Sequence, residues 1–88
     1  MKEWKLVYRK RGKEDYQKIK SAGLGVKALT LLDILRKNPF QTPPPFEKLI
    51  GDLKGLYSRR INVQHRLVYR VEKKINVVVV VRMWTHYQ

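Results

Sequence analysis

The second half of this 88-residue chain combines clustered arginines with few carboxylates. Arg59, Arg60 and Arg66 lie close together in the sequence. The carboxylates that follow residue 46 are Glu47, Asp52 and Glu72. A guanidinium group can hold two phosphoryl oxygens with its planar fork, and a carboxylate can accept a proton. This combination could therefore act on a phosphodiester.

Cleavage of RNA by its own 2′-hydroxyl needs a base, a cation that stabilises the charged phosphorus and an acid for the leaving 5′-oxygen, but it needs no metal. Arg66 is the candidate for the cation. A histidine, with a free pKa of about 6.5, is the candidate for the acid. Glu47 is the more suggestive base, because Glu72 lies in a predicted turn beside two lysines, where solvated pairing explains it.

The charge balance predicts a polyanionic partner, since twenty Lys and Arg against seven Asp and Glu give a net charge of +13. A lysine-rich surface that serves only solubility is the alternative that charge leaves open.

The length predicts a single domain over residues 1–88. The absence of cysteine excludes disulfides and thiolate metal sites. No stretch has the pattern of a signal peptide or a membrane span, so we expect a cytoplasmic protein with neither a cofactor nor a membrane attachment.

The first half of the chain predicts one strand and two helices. Residues 4–8 alternate and contain β-formers, which favours a strand. Residues 10–22 are highly charged with a narrow apolar seam, and residues 26–38 have a wider one, so both segments predict helices. The second helix should end at Asn38, because Pro39 follows it. The buried face of this helix is expected to consist of Val26, Leu29, Leu32, Ile34 and Leu35.

The second half predicts an antiparallel meander. Residues 56–63, 65–73 and 75–84 have strand composition at hairpin spacing. The five consecutive valines 77–81 do not alternate, which indicates a strand buried on both faces in the middle of the sheet. The fold class is therefore α+β: an N-terminal strand, two helices and a mainly antiparallel sheet of about four to five strands, with the helices on one face.

Side chains alternate along a strand, so these arginines fall on both faces of the predicted sheet, with Arg59 and Arg60 on opposite sides. A small sheet covered by helices on one side cannot bury several unpaired guanidinium groups there, so at least one of Arg59, Arg60 and Arg66 must face outward. We expect Arg59 to be solvated or to contact RNA. His65 shares its face with apolar residues and is expected to be a partnered core or boundary histidine. Trp84 is expected to pack or to stack at an edge.

The stretch "PFEKLIGDLKGLYSRRINVQHRLVY", together with "THY" near the end of the chain, closely resembles the YoeB (Txe) toxins of the RelE superfamily. These toxins are ribosome-dependent mRNA endonucleases of bacterial type II toxin–antitoxin pairs. The resemblance extends over nearly the whole chain in length and element order, and it is specific from Phe46 onward. It implies a RelE-like microbial RNase fold and an endoribonuclease that cuts mRNA in the ribosomal A site and so inhibits translation.

The resemblance also implies a role for each matching residue. Glu47 is the expected general base, Arg66 the phosphate-stabilising residue and His86 the general acid. Tyr87 is expected to shape the site around the scissile nucleotide, and the second arginine of "SRR" falls on Arg60, an expected RNA-binding residue.

One position departs from the family pattern. Some members carry a lysine three residues after the glutamate, where this chain has Ile50. Lys48 or Lys54 would then have to replace it as an RNA-binding residue.

The partners implied by the resemblance are an acidic, partly disordered antitoxin of the YefM/Phd type and the 70S ribosome with its mRNA and rRNA. The resemblance also makes a homodimer plausible, and it implies no metal or cofactor. Two other functions stay open. The ParE-type toxins of the same superfamily act on DNA gyrase, but they lack the glutamate and the terminal histidine. A non-catalytic basic RNA-binding module would explain the charge but not the pair His86 and Tyr87.

Overall fold

The computed structural model describes residues 3–84, and within this range the chain forms two helices and five strands. Short 3-10 turns lie at Gly51–Leu53 and Lys73–Ile75. The helices and strands are, in chain order, β1 Lys5–Tyr8, α1 Lys10–Ser21, α2 Gly25–Lys37, β2 Glu47–Lys48, β3 Tyr57–Arg60, β4 Arg66–Glu72 and β5 Val77–Arg82. The α+β class is therefore confirmed, and β2 is a strand that the sequence did not predict.

The strands form one sheet in the order β1-β5-β4-β3-β2. The antiparallel meander of β3, β4 and β5 is confirmed, whereas β1 pairs with β5 in parallel. Strand β5 therefore lies inside the sheet, between β1 and β4. Val78 and Val80 are fully buried, and Val79 on the opposite face is 7% exposed. The valine run is thus buried on both faces, as the sequence predicts.

The helices pack on one face of the sheet and enclose the core with it. The buried face of α2 differs from the prediction, because Val26 is 79% and Leu29 53% exposed. The residues of α2 that are buried are Ala28, Leu31, Leu32 and Leu35. Their spacing is that of one helical stripe, i, i+3, i+4 and i+7. This leucine-rich helix thus has two apolar stripes that could have been buried. The stripe that packs against the sheet is the one that contains Ala28 and Leu31.

Helix α1 crosses β5 so closely that its contact point has room only for glycine. A Cβ atom built on the buried Gly12 would lie 2.6 Å from the carbonyl oxygen of Val80. That distance is too short for a carbon atom beside a backbone oxygen, so the helix would have to move away from the strand.

We expect Gly12→Ala to lower the free energy of unfolding by about 1–3 kcal/mol, since overpacking a rigid contact forces backbone shifts. Urea denaturation measures this. Gly25→Ala is the matched control, because Gly25 is also helical and its added Cβ would meet the flexible side chain of Lys20 at 3.4 Å and the Lys20 Cα at an ordinary contact distance of 3.8 Å. Equal midpoints for the two variants would contradict the close approach.

Candidate active site

Glu47 and Arg66 are in direct contact, although they are nineteen positions apart in the sequence. Arg66 Nη1 donates a hydrogen bond of 3.3 Å to Glu47 Oε1. The Glu47 side chain is 67% exposed, and that of Arg66 is 17% exposed. Among residues 3–84, the other N–H groups of Arg66 have no acceptor. The predicted base and the predicted cation therefore lie together at the surface, and the cation keeps donors for a further ligand.

The sheet register brings these two side chains together. Glu47 on β2 lies opposite Ser58 on β3, and Arg60 at the end of β3 lies opposite Arg66 at the start of β4. Antiparallel partners on one face have neighbouring side chains. The two-residue strand β2 therefore carries Glu47 to the face of the sheet that bears Arg60 and Arg66.

A cleft of about 620 Å³ lies over this contact. Its walls come from the proline segment (residues 39–45, between α2 and β2), from β3, from the loop between β3 and β4, and from α2. The charged residues that line it are Lys27, Glu47, Arg60 and Arg66. The prediction that at least one of the clustered arginines faces outward is confirmed, since Arg60 is exposed.

The predicted exposure of Arg59 is wrong, because this residue is 1% exposed and points into the interior. Its Nη1 donates to the carbonyl of Pro44 at 2.6 Å, and its Nη2 donates to those of Pro39 and Gln41 at 2.9 and 2.8 Å. Its Nε donates to the Tyr69 hydroxyl at 3.2 Å. Backbone oxygens thus compensate the buried charge. Arg59 has no surface with which to bind RNA.

The same guanidinium group anchors the segment that leads into β2. It lies 5.1 Å from the ring centre of Phe46, the residue immediately before Glu47. The Phe46 ring contacts Tyr57 edge-on, with ring centroids 5.8 Å apart. Arg59 therefore fixes the approach to Glu47 from inside the protein.

His65 is buried, as predicted, and it is stacked on Trp84. It is 6% exposed, and the two ring centroids lie 3.9 Å apart with an angle of 21° between the planes. Its Nδ1 atom has no hydrogen-bond partner among residues 3–84. The residue after His65 is Arg66, so this stack joins the start of β4 to the chain that follows β5.

Asp15 of α1 holds the same stretch of chain. Its Oδ2 accepts hydrogen bonds from Arg82 Nε at 2.7 Å and from the backbone N–H groups of Met83 and Trp84 at 3.0 and 3.1 Å. Burial by itself would raise the pKa of Asp15, but these hydrogen bonds and the charge of Arg82 together hold the pKa below its usual value.

We expect Asp15→Asn to lower the free energy of unfolding by about 1–3 kcal/mol at pH 7, because it removes a charged acceptor of three hydrogen bonds. The folded-state pKa is lowered, so this stabilisation is complete above the unfolded pKa of about 3.9 and is lost as the pH falls through the folded value. Denaturation curves of wild type and variant between pH 7 and pH 3 test this. A constant difference across that range would contradict it.

The remaining predicted site residues divide into two groups. His86 and Tyr87 lie outside the described residues. Lys48 and Lys54 are exposed and line a neighbouring groove together with Ile50. The lysine that lines the cleft is Lys27 of α2, which sequence reasoning missed.

Two further properties of the described part bear on the predicted chemistry. No three His, Cys, Asp or Glu residues in the range 3–84 are grouped so that they could hold a metal ion. The helices in this range are too short or too polar to cross a membrane.

Comparison with solved structures places this arrangement in a class of small α+β toxins. One such structure is described as "YoeB/ParE toxin from Agrobacterium tumefaciens". It is 33% identical in sequence and superimposes with a TM-score of 0.84, and the match covers 94% of this chain and 99% of that chain. The toxin in a "YoeB-YefM complex from Staphylococcus aureus" is 31% identical with a TM-score of 0.79, covering 96% of this chain and 98% of that one. The S. aureus toxin has also been solved as a dimer.

The family follows from the sequence comparison. The model of the "YoeB-like toxin of bacterial type II toxin-antitoxin system" matches residues 8–87. The chain belongs to this family. A curated relative, "Toxin YoeB" of Synechocystis sp. (strain ATCC 27184 / PCC 6803 / Kazusa), is 36% identical over 58 residues, which is 66% of this chain and 65% of that protein. The matched part thus spans just under two thirds of the curated relative.

Proposed function

We propose that this chain is a ribosome-dependent mRNA endoribonuclease that cuts in the A site and inhibits translation. The observation that carries the proposal is the 3.3 Å contact between Glu47 and Arg66 in a cleft of a YoeB-family chain. A carboxylate beside a guanidinium group with spare donors is the pair that attack by a 2′-hydroxyl requires.

The proposed reaction is an in-line transfer within the RNA. Glu47 takes the proton of the 2′-hydroxyl, and the bond from O2′ to phosphorus forms while the bond from phosphorus to O5′ breaks. Arg66 holds the non-bridging oxygens, on which negative charge accumulates. His86 gives a proton to the leaving 5′-oxygen, and Tyr87 shapes the site. The products are a 2′,3′-cyclic phosphate and a 5′-hydroxyl.

The ribosome supplies the substrate in position. Glu47 is largely exposed in the free chain, so the nucleotide and the surrounding rRNA must complete the site around it. The net charge of +13 favours binding to rRNA. Arg60, Lys48 and Lys54 are exposed cations around the cleft and its neighbouring groove, where they can contact phosphates.

The second proposed partner is an acidic antitoxin segment that folds over the basic cleft. The charge of this chain suits such a segment, and the S. aureus relative has been solved with YefM. By covering Glu47 and Arg66, the segment would block access of RNA. Homodimerisation is proposed on the likeness to the S. aureus dimer.

Primer extension on mRNA bound to 70S ribosomes tests the proposal. Wild-type protein, His86→Gln and no protein are compared, with ribosome-free mRNA alongside. We expect cuts in the A-site codon only with wild type on ribosomes. No cuts from folded, antitoxin-free protein would reject the nuclease and favour gyrase inhibition or simple RNA binding.

A further inference from the structure

The cleft contains a third cation, Lys27, that the proposed reaction does not use. It belongs to the first turn of α2, whereas Arg60 and Arg66 come from the sheet. The helix begins at Gly25, so the position of Lys27 depends on how α2 packs against the core that it shares with the sheet. The cleft is therefore lined by positive charge from two separate layers of the fold.

The charge of the cleft is not balanced within the described part of the chain. Three cations, Lys27, Arg60 and Arg66, face one carboxylate, Glu47, which leaves a net charge of +2. No ion pair among residues 3–84 includes Lys27 or Arg60. Like charges gathered in one concave site repel each other, so they favour a ligand that carries more than one negative charge.

A single phosphodiester satisfies only part of this requirement. Its one negative charge is met by Arg66, the cation adjacent to the proposed base. An RNA strand presents a second phosphate one nucleotide away. We propose that Lys27 binds a phosphate next to the scissile one and so fixes the register of the RNA strand in the cleft.

This assignment deepens the proposed nuclease function and predicts the kinetic role of Lys27. A lysine ammonium group acts on phosphate as a point charge without the bidentate geometry of arginine. Its contact with a non-reacting phosphate is equally strong before and during the reaction. Loss of Lys27 should therefore raise KM and leave kcat nearly unchanged.

The first test is binding, which does not depend on cleavage. The probe is an RNA trinucleotide with 2′-deoxyribose at its first and central positions, so that neither of its two phosphodiesters can react by 2′-hydroxyl attack. Binding is measured by amide NMR titration at low salt. We expect Lys27→Gln to raise the Kd about tenfold, because the variant loses one charged hydrogen bond to the RNA. Lys27→Arg keeps the positive charge and should bind the probe with nearly the affinity of wild type. Lys74→Gln removes the same charge from an exposed turn beyond the other end of β4 and should change the Kd less than about twofold.

The second test is cleavage on ribosomes, in which Lys27→Gln should raise KM about tenfold with kcat within about twofold of wild type. Equal affinities for Lys27→Gln and Lys74→Gln, or a loss confined to kcat, would overturn the role of Lys27. If wild type does not cut, the nuclease proposal fails, while the trinucleotide titration still decides whether Lys27 binds phosphate.

Discussion

Glu47→Gln is expected to reduce the rate of mRNA cleavage on ribosomes by about 10²–10⁴-fold, the usual contribution of a general base. Glutamine has nearly the same shape as glutamate, and its amide oxygen can still accept the hydrogen bond from Arg66. It cannot take a proton from the 2′-hydroxyl. The variant should therefore keep its fold and its affinity for ribosomes and lose the chemical step, which single-turnover cleavage by saturating protein measures.

The chain contains a matched control for this variant. Arg70 and Glu72 form a second arginine–glutamate pair on β4, at 3.2 Å, outside the cleft. Glu72→Gln makes the same chemical change in the same kind of ion pair, so it should leave the rate within about twofold of wild type, as for most surface substitutions. Equal effects of the two substitutions would assign Glu47 a general electrostatic role. Full activity of Glu47→Gln would leave the base to be found elsewhere.

The sequence predicted much of this site because strand alternation and pairing are regular. The segment "HRLVYRVE" alternates, so Arg66 had to share a face with Val68, and hairpin spacing placed β3 beside β4. Strand β2 was missed because two residues carry no periodicity. Its pairing with β3 nevertheless brings Glu47 towards Arg66, the base and the cation that both the residue types and the resemblance to a known family had indicated.

The exposure of Arg59 was predicted wrongly because its hydrogen-bond partners could not be foreseen, although strand alternation had placed it on the correct face of the sheet. Alternation already placed Arg59 with Tyr57 and Ile61, the latter a core residue. The high cost of an unpaired buried guanidinium group argued against burial. The compensating acceptors are backbone carbonyls of a proline segment about fifteen to twenty residues away, and every residue type has such a carbonyl. No residue identity could reveal them.

Lys27 was missed for a similar reason. Its neighbours in the sequence are Val26 and Ala28, and nothing in this segment distinguishes it from the other exposed lysines. What determines the position of Lys27 is which apolar stripe of α2 is buried. Once Ala28 and Leu31 face the core, Lys27 is carried towards the end of β3, where it lines the cleft. The helical stripe that the sequence favoured, with Val26 and Leu29 buried, would not have indicated this position.

Arg59→Lys is expected to lower the free energy of unfolding by at least about 3 kcal/mol, a large part of the stability of a small domain. Lysine keeps the charge, but its single ammonium group cannot reach the acceptors that the guanidinium fork joins. Buried carbonyls of the proline segment would lose their donors. Burial raises the pKa of Tyr69, so its hydroxyl stays protonated and continues to donate to Pro39, but it loses the donor that Arg59 Nε provides.

Arg60→Lys is the matched control, because it makes the same chemical change at the adjacent residue, which is exposed. Its free energy of unfolding, measured in urea, should differ from that of wild type by no more than about 0.5 kcal/mol, as for most surface substitutions. Arg59 also anchors the chain before Glu47, so Arg59→Lys should lower cleavage even in conditions where the variant is folded, whereas a purely structural role would leave the activity of the folded fraction unchanged. Equal midpoints for the two variants would mean that the carbonyl network around Arg59 contributes little to stability, and normal activity of the folded fraction would mean that it does not position Glu47.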